Sequence, residues 1–495
     1  MTTRDTIGMQ TMAVAVPGKA KRWGALYIIV LAAFMTTLDD FIVFVALPAI
    51  QRDLHASAAE LQWVVAGYVL AYGVAVVSGG RLGDIYGHKR MFLLGTAGFT
   101  LFSLLCGVAP NILFLLVARV FEGILAAVMF PQVFSLIKHL FPEKEQPMAM
   151  GILGAVIGIA AIGGQLFGGI LLGLNIWGLT WRPIFFVNVP IGVLALFAAA
   201  PLLRESRSQT TTRVDGPGVL FASISLLLIV YPLVQGHDLG WPLWLLVAPI
   251  VAIPAIWLFV RYERHRTAKI GSPLLELSLF RNLLFTRSIG VLLLETALGS
   301  GLFFVLALYL QVGHHFSAFD AGLAFTPMAI TYTVGSLATS YLTRLLGTRI
   351  LGVGILIASF GTLLTVAVIT QAGNGLSILS LLPLAVMGFG NALVATPLPG
   401  FIIAVVGKDA VGAASGAIST AQQLGAALGV ALIGIVFFAV GQGSGYTPAF
   451  ASSLLYYILP VCLVQFFLVA GLPVMLNAAS NAADTHSATK DLTRG

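Results

Sequence analysis

Long apolar runs, separated by short polar segments, follow one another along almost the whole chain. Fourteen of these runs reach the ~20 residues that a helix needs to cross a bilayer. We place them at residues 24–48, 58–80, 91–109, 112–137, 147–173, 183–203, 216–235, 241–261, 283–311, 321–343, 350–371, 376–406, 411–440 and 452–476. Since these runs are too long for the strands of a membrane barrel, they predict an all-α integral membrane protein with fourteen spans.

The composition supports a membrane protein. Of the 495 residues, 58% are hydrophobic and only 9% are charged, and the mean hydropathy is +0.98. A water-soluble protein carries roughly 25% charged residues, so the soluble class is excluded. Both cysteines, Cys106 and Cys462, fall in spans and suggest neither a disulfide nor a metal site. No soluble domain remains to hold an active site, so we expect no enzyme, no cofactor and no bound metal.

The positive charges predict the topology. The net charge is +7, but the cations collect in the loops that lie on the side of the N-terminus. Only Arg52 and Arg182 fall on the other side, and Arg119 falls inside a span. This asymmetry predicts that both termini are cytoplasmic in a multi-pass protein of a bacterial-type inner membrane. Since the cations lie in loops at one face of the lipid bilayer, the bilayer accounts for the basic charge, and we expect no nucleic-acid partner.

A weak internal repeat predicts two similar halves. Residues Ser57–Glu60 follow span 1, and residues Ser317–Asp320 follow span 9, and in each case another helix and a glycine-rich stretch come next. We therefore divide the chain into a cytoplasmic tail (1–20), a first six-helix bundle (21–205), two inserted helices (206–270), a second six-helix bundle (271–476) and a second cytoplasmic tail (477–495).

The segment between spans 2 and 3 combines glycines, an aspartate and cations. It reads Gly80-Arg81-Leu82-Gly83-Asp84-Ile85-Tyr86-Gly87-His88-Lys89-Arg90. Glycine permits a sharp turn, and Asp84 can accept charge-assisted hydrogen bonds from a helix N-terminus or an arginine. Lys89 and Arg90 can hold the segment at an anionic membrane face. An ordinary basic loop would explain these cations but not the Gly-Asp-Gly spacing.

This segment resembles the cytoplasmic loop G-x-L-a-D-r-x-G-r-k of the major facilitator superfamily. Further segments resemble the family of 14-helix drug:proton antiporters. Leu38–Pro48 resembles L-D-x-T-x-V-N-V-A-L-P, with Phe41 and Phe44 in place of the Thr and Asn, and Trp181–Pro190 resembles W-R-W-I-F-x-I-N-V-P. Later signatures of the family are similar to Tyr309–Gln311, Ala321–Gly322, Gln423–Gly425 and Gly429. The resemblance implies the major facilitator fold, with two six-helix bundles and two inserted central helices. It also implies a conformational-switch loop that contains Gly80, Asp84, Gly87, Lys89 and Arg90.

Ionisable residues inside the predicted spans are the candidates for coupling and binding. A charge at the bilayer centre costs at least ~2.5 kcal/mol, so such residues must pair, line water or be protonated. Arg119 and Glu122 are three residues apart and share one helix face, which allows a self-contained ion pair. In the resembled family, the matching arginine of R-x-x-Q-G is implicated in proton coupling. Here Glu122 replaces the amide of that motif and adds a second titratable group.

Three further acids complete this set. Asp39 matches the aspartate of the family, and we expect it to face the cavity. Because adjacent helix positions point about 100° apart, we expect Asp40 to be shielded by another helix or turned to a polar seam. Two acids that cap a kinked helix, and Glu295 as a structural hydrogen-bonding residue, remain alternatives. Because acids outnumber the single arginine, we expect cations or neutral weak bases rather than anions as cargo.

Gln165 marks a departure on span 5. It occupies the place of a proline in the family motif G-x8-G-x3-G-P-x2-G-G, and it could hydrogen-bond to the cargo or to a facing helix. The loss of the proline leaves the direction of transport open.

The resemblance implies a proton-coupled exporter of amphipathic, cationic drugs or toxic compounds, working by alternating access as a monomer. Its partners would be a small-molecule substrate, of which lipophilic cations are the first expectation, together with protons and the lipid bilayer. A proton-coupled porter for one specific metabolite and a non-transporting membrane sensor are the alternatives.

Overall fold

A computed structural model describes residues 19–206, 215–270, 275–372, 377–406 and 410–470. Within these ranges the chain forms helices and no strand. The long helices are α1 (Lys19–Leu54), α2 (Ala58–Tyr86), α3 (His88–Gly107), α4 (Ile112–Leu140), α5 (Gln146–Leu174), α6 (Pro183–Leu202), α7 (Gly216–Leu239), α8 (Leu243–Lys269), α9 (Leu283–Gly313), α10 (Ala318–Leu346), α11 (Arg349–Ala372), α12 (Pro383–Ala404), α13 (Val411–Gly441) and α14 (Tyr446–Ala470).

The helix lengths fit the predicted membrane crossings. Thirteen helices of the described ranges are long and apolar enough to span a bilayer, and α5 becomes the fourteenth if its two segments, bent by 41°, form one span. The all-α membrane fold is therefore confirmed. The helix of the first span begins at Lys19, inside the predicted tail 1–20, and the remaining residues of both predicted tails lie outside the described ranges.

Helix contacts follow the two halves of the sequence. In the first half, α4 packs against α2 and α3, and α1 packs against α5 and α6. In the second half, α9 packs against α13, and α12 packs against α10 and α11. The inserted helices α7 and α8 pack against each other, and α7 also contacts α2 and α13. Helices α2 and α13 also pack against each other across the two halves, and α7 lies along that seam.

The repeat found in the sequence is a pair of equivalent helix starts. The side chain of Ser57 caps α2 by accepting a hydrogen bond from the backbone N–H of Glu60, 3.2 Å away. The carboxylate of Glu60 accepts a hydrogen bond from the backbone N–H of Ser57, which completes a capping box. Ser317 caps α10 in the same way through the N–H of Asp320. Each half therefore enters its second span through the same local chemistry.

The segment Gly80–Arg90 is mostly helical, which corrects its interpretation as a loop. Helix α2 continues to Tyr86 and α3 begins at His88, so only Gly87 is non-helical, with φ of +106°. Gly80 is not needed for close packing, since a Cβ there would lie 3.7 Å from Pro131. Gly79 is needed for close packing, because a Cβ there would lie 2.0 Å from the carbonyl oxygen of Ala127 on α4.

The first residues of α1 and the last residues of α14 lie on one side of the molecule, which we call the terminal side. The two halves also meet on the opposite side, which we call the distal side. A Cβ on Gly169 of α5 would lie 2.6 Å from the carbonyl oxygen of Ala318 on α10. Gln311 of α9 donates a hydrogen bond of 2.8 Å to the carbonyl oxygen of Val45 on α1. These backbone-level contacts hold the two halves together at their distal ends.

Candidate functional site

A buried ionic network joins α1 and α4. Nη1 of Arg119 lies 2.5 Å from Oδ2 of Asp39 and 2.8 Å from Oε2 of Glu122. The guanidinium also donates through Nε to the carbonyl oxygen of Val64, at 3.2 Å. Arg119 is 1% exposed, and both acids are fully buried. The pair of Arg119 and Glu122 is therefore not self-contained, because Asp39 shares the same nitrogen.

Asn188 completes the coordination of Asp39, and the sequence analysis did not identify it. Its amide nitrogen donates to Oδ1 of Asp39 at 3.0 Å and to the hydroxyl of Ser103 at 3.0 Å. A break at Val187 inside α6 places Asn188 at the start of the long part of that helix. The signal available beforehand was an amide inside the apolar run of Trp181–Pro190.

Glu122 is coordinated less completely than Asp39. Its Oε2 accepts from Arg119 and from the thiol of Cys106, which lies 3.4 Å away. Its Oε1 is enclosed and has no hydrogen-bond partner among the described residues. The face of Tyr68 covers the guanidinium, with 4.1 Å between the ring centre and Cζ of Arg119. The network is thus closed to solvent by an aromatic ring and contains one vacant acceptor position.

Asp40 and Glu295 lie outside this network. Asp39 is fully enclosed, so the expectation that it faces an open cavity is wrong for this conformation. Asp40 is partly exposed, but its Oδ1 is enclosed, which agrees with the prediction of a shielded position. Glu295 is 7% exposed, and its Oε2 accepts a hydrogen bond of 3.1 Å from the amide of Gln465. Both acids therefore lack the arginine that neutralises Asp39.

Gln165 contacts a neighbouring helix. Its amide nitrogen donates 2.9 Å to the carbonyl oxygen of Phe41, which follows Asp40 on α1. A Cβ on Gly322 of α10 would lie 2.7 Å from the backbone carbonyl oxygen of Gln165. Gln165 thus lies where α5 contacts both α1 and α10.

The predicted switch segment contacts the end of α6. Glu205 accepts a hydrogen bond of 3.1 Å from the backbone N–H of Lys89 and lies 3.6 Å from Nε of Arg90. Asp84 lies 3.6 Å from Nε2 of His88, one helical turn ahead. The ammonium group of Lys89 also donates a hydrogen bond to the carbonyl oxygen of Ala200, so the cations Lys89 and Arg90 both contact protein.

Comparison with known proteins places this architecture in a family. A model described as Major Facilitator Superfamily matches residues 29–430. The chain belongs to the major facilitator superfamily. This superfamily consists of membrane transporters, and the chain is accordingly a multi-pass transport protein.

Several relatives of this major facilitator protein are named for transport, export or drug resistance. A probable actinorhodin transporter of Streptomyces coelicolor is 38% identical over 436 residues, which cover 88% of this chain and 75% of the relative. The tetracenomycin C resistance and export protein of Streptomyces glaucescens is 30% identical, covering 84% and 76%. Multidrug resistance protein Stp of Mycobacterium tuberculosis is 32% identical, covering 83% and 74%.

Solved structures share the fold of this major facilitator protein. A bacterial homologue of the human lysosomal transporter Spinster, in an inward-facing and unoccupied conformation, aligns with a TM-score of 0.62 at 18% identity, over 92% of this chain and 96% of the other. A POT family transporter in complex with a thioalcohol-conjugated peptide aligns with a TM-score of 0.66 at 13% identity, over 92% and 96%.

The predicted site residues of this major facilitator protein separate into distinct places. Asp39, Arg119 and Glu122 meet in one network, while Asp40, Glu295 and Gln165 each have other surroundings. Gly87, Lys89 and Arg90 gather near Glu205 at the terminal side. Among the described residues, no group of three or more His, Cys, Asp or Glu side chains could hold a metal ion.

Proposed function

We propose that this protein is a proton-driven exporter of small amphipathic compounds that works by alternating access. Export is supported by the relatives named for actinorhodin transport, for tetracenomycin C resistance and export, and for multidrug resistance. The observation that carries the proton coupling is the shared position of Asp39 and Glu122 on one nitrogen of Arg119. The proposal keeps both termini in the cytoplasm, as the distribution of cations predicts.

The charge of the network supports a bound proton. One guanidinium can neutralise one carboxylate, but here it faces two, and all three groups are buried. An uncompensated charge in a membrane interior costs several kcal/mol, and a carboxyl group avoids that cost by protonation. In the enclosed conformation the network therefore holds one proton, and exposure to water releases it.

The hydrogen bonds support Glu122 as the carrier of that proton. Both oxygens of Asp39 accept strong bonds, one from Arg119 and one from Asn188, as an ionised carboxylate does. Glu122 has Oε1 without a partner, which is the position that a carboxylic O–H can occupy. We assign Asp39 as the fixed counter-ion of Arg119, and Glu122 as the proton carrier.

Release of the proton changes the charge of the closed network, and this drives the conformational cycle. A second negative charge beside Arg119 disfavours the closed arrangement until water or a cationic cargo reaches it. One charge that crosses a potential of 100 mV supplies about 2.3 kcal/mol. In this scheme the two bundles, residues 21–205 and 271–476, move relative to each other, and residues 206–270 form the inserted helices. The switch segment at the terminal side contains Gly80, Asp84, Gly87, Lys89 and Arg90.

The proposal has two versions, which differ in the range of cargo that the protein exports. The acids inside the spans favour amphipathic cations, and Stp, whose name describes multidrug resistance, supports a broad range. The relative with 38% identity is named for a single compound, actinorhodin, and it favours a dedicated exporter of one metabolite. A panel of unrelated cations separates these versions, because a dedicated porter would accept only one chemical type.

Transport by purified protein in liposomes tests the proposal. The vesicles contain a pH dye and carry an imposed proton gradient, and ethidium is added as the cation. We expect proton flux opposite to ethidium movement in the wild type, and loss of that flux in Glu122→Gln. Glu143→Gln, a change of an exposed acid, is the matched control and should behave as the wild type. No proton movement with any cation, from folded protein, would refute proton-driven export.

A further inference from the structure

The two acids that share Arg119 differ in their second hydrogen-bond donor. Oδ1 of Asp39 accepts a bond of 3.0 Å from the amide nitrogen of Asn188. Oε2 of Glu122 lies 3.4 Å from the thiol of Cys106, which donates to it. An amide N–H is a full hydrogen-bond donor, whereas a thiol is a weak one. Because the guanidinium of Arg119 contacts both acids, the second donors are what distinguish them.

A chain of hydrogen bonds fixes the direction in which the amide of Asn188 points. The hydroxyl of Ser103 lies 3.1 Å from the backbone carbonyl oxygen of Phe185, which can only accept. The hydroxyl hydrogen is therefore used there, and Ser103 can meet Asn188 only as an acceptor. The atom of Asn188 that lies 3.0 Å from this hydroxyl must then be the amide nitrogen.

The same nitrogen presents its second hydrogen to Asp39. Oδ1 of Asp39 accepts this N–H and Oδ2 accepts from Arg119, so both oxygens act as acceptors, as in an ionised carboxylate. The amide oxygen of Asn188 is enclosed and has no hydrogen-bond partner among the described residues. Asn188 therefore enters the network only as a donor, and its donation stabilises a charged Asp39.

Helix α3 carries the partners of both acids on one face. Ser103 and Cys106 are three residues apart on α3, so their side chains lie side by side. Ser103 holds Asn188 against Asp39, while Cys106 contacts Glu122, and all of these side chains are fully buried. The polar groups thus form a ring through α1, α6, α3 and α4, which Arg119 closes. Two further titratable side chains adjoin the ring, namely Tyr68, whose face covers Arg119, and Asp40, which follows Asp39.

We propose that Asn188 is a positioning residue that keeps Asp39 ionised and thereby directs the proton of the network to Glu122. The weak donor Cys106 leaves Glu122 as the acid that becomes neutral. This inference rests on the proposed proton-driven export, and it names the residue that decides between the two acids. Since Asp39 lies on α1 and Asn188 on α6, a change in the packing of these helices removes the donor and with it the preference for Glu122.

Infrared spectroscopy of the purified full-length protein tests this role without transport. A protonated carboxyl group has a C=O stretching band that an ionised carboxylate lacks, and the band of the network proton is the one that disappears in Glu122→Gln. Heavy-isotope labelling of the carboxyl carbon, in either glutamate or aspartate, shows which acid holds the proton. We expect the wild-type band to move with the glutamate label and to stay in place with the aspartate label.

Asn188→Leu should transfer the proton. Leucine has a similar size but no donor, and a hydrogen bond to a charged group is worth a factor of about ten or more. We therefore expect the ratio of protonated Asp39 to protonated Glu122 to rise at least about tenfold, so that the band moves with the aspartate label. Addition of Cys106→Ser, which gives Glu122 a stronger donor, should complete the transfer.

Two further variants make the test independent of folding. Asn391→Leu removes a buried amide from α12, outside the ring, and should keep the wild-type assignment. Asn188→Ser ends one bond short of the amide nitrogen, so it also removes the donor, and it should transfer the proton as Asn188→Leu does.

Three outcomes would overturn the role of Asn188: a wild-type band that moves with the aspartate label, a band that stays with glutamate in Asn188→Leu and Asn188→Ser, or an equal transfer in Asn391→Leu. Failure of the proposed function is a different result. In that case the infrared assignments would hold, but the wild type would move no protons in the liposome experiment.

Discussion

Nη1 of Arg119 lies 2.5 Å from Oδ2 of Asp39, although the two residues are 80 positions apart in the sequence. This bond fixes the mutual rotation of α1 and α4 inside the membrane. It also brings the positive charge to Glu122, and it explains why one arginine can be held fully buried in this bundle.

Removal of the guanidinium should be the most damaging change in the network. Arg119→Gln leaves two buried carboxyl groups without a counter-ion, and breaking a buried ion pair typically costs about 3–5 kcal/mol. We expect a marked fall in the thermal unfolding temperature in detergent, and no coupled transport. Arg182→Gln is the matched control because Arg182 pairs with Asp53 near the surface, where a pair contributes at most about 1 kcal/mol. Equal shifts in the two variants would contradict the burial argument.

Two adjacent glycines of α2 should respond in opposite ways to alanine. Gly79→Ala places a methyl group 2.0 Å from the carbonyl oxygen of Ala127, so α2 and α4 must separate, at a cost of about 1–3 kcal/mol. Gly80→Ala meets only ordinary contact with Pro131, and it should gain about 0.5–1 kcal/mol from helix propensity. Thermal unfolding of the two variants measures the difference. A destabilised Gly80→Ala would restore the prediction that this glycine is needed for the turn.

The distal contact between α5 and α10 should control which side of the protein opens. Gly322→Ala would bring a methyl group 2.7 Å from the carbonyl oxygen of Gln165, whereas Gly299→Ala enters open space. We expect Gly322→Ala to shift the population towards distal opening. Spin labels at Trp177→Cys and Tyr446→Cys, both exposed on the distal side, measure this as a longer distance distribution. An unchanged distribution relative to Gly299→Ala would remove this contact from the gate.

Asp84 should affect the speed of the cycle more than the binding of cargo. Asp84→Asn weakens the contact with His88, and partly exposed pairs contribute up to about 1 kcal/mol, which corresponds to a roughly fivefold slower turnover if the contact is made only in one conformation. Initial rates in liposomes and equilibrium binding of tetraphenylphosphonium separate the two effects. Lost binding with unchanged turnover would argue against a switch role for this residue.

The comparison of sequence and structure is uneven along the chain. The helix count, the serine caps at Ser57 and Ser317, and the pairing of Arg119 with Glu122 follow from local patterns, because spans, caps and helix faces depend on neighbouring residues. The segment Gly80–Arg90 was wrongly interpreted as a loop, because glycine permits a turn but does not require one, and only Gly87 leaves the helical conformation. Asn188 was missed because one amide in an apolar run does not reveal its partner.

The sequence by itself determined that this is a many-span helical membrane protein of the major facilitator type. A bilayer requires long apolar helices, and each segment meets that requirement through its own residues, independently of the other segments. Only the tertiary structure decided that Asp39 is enclosed with Arg119 and Asn188, while Glu295 pairs with the amide of Gln465 outside that network. These relationships depend on how helices rotate and cross, and close packing between distant segments sets that geometry.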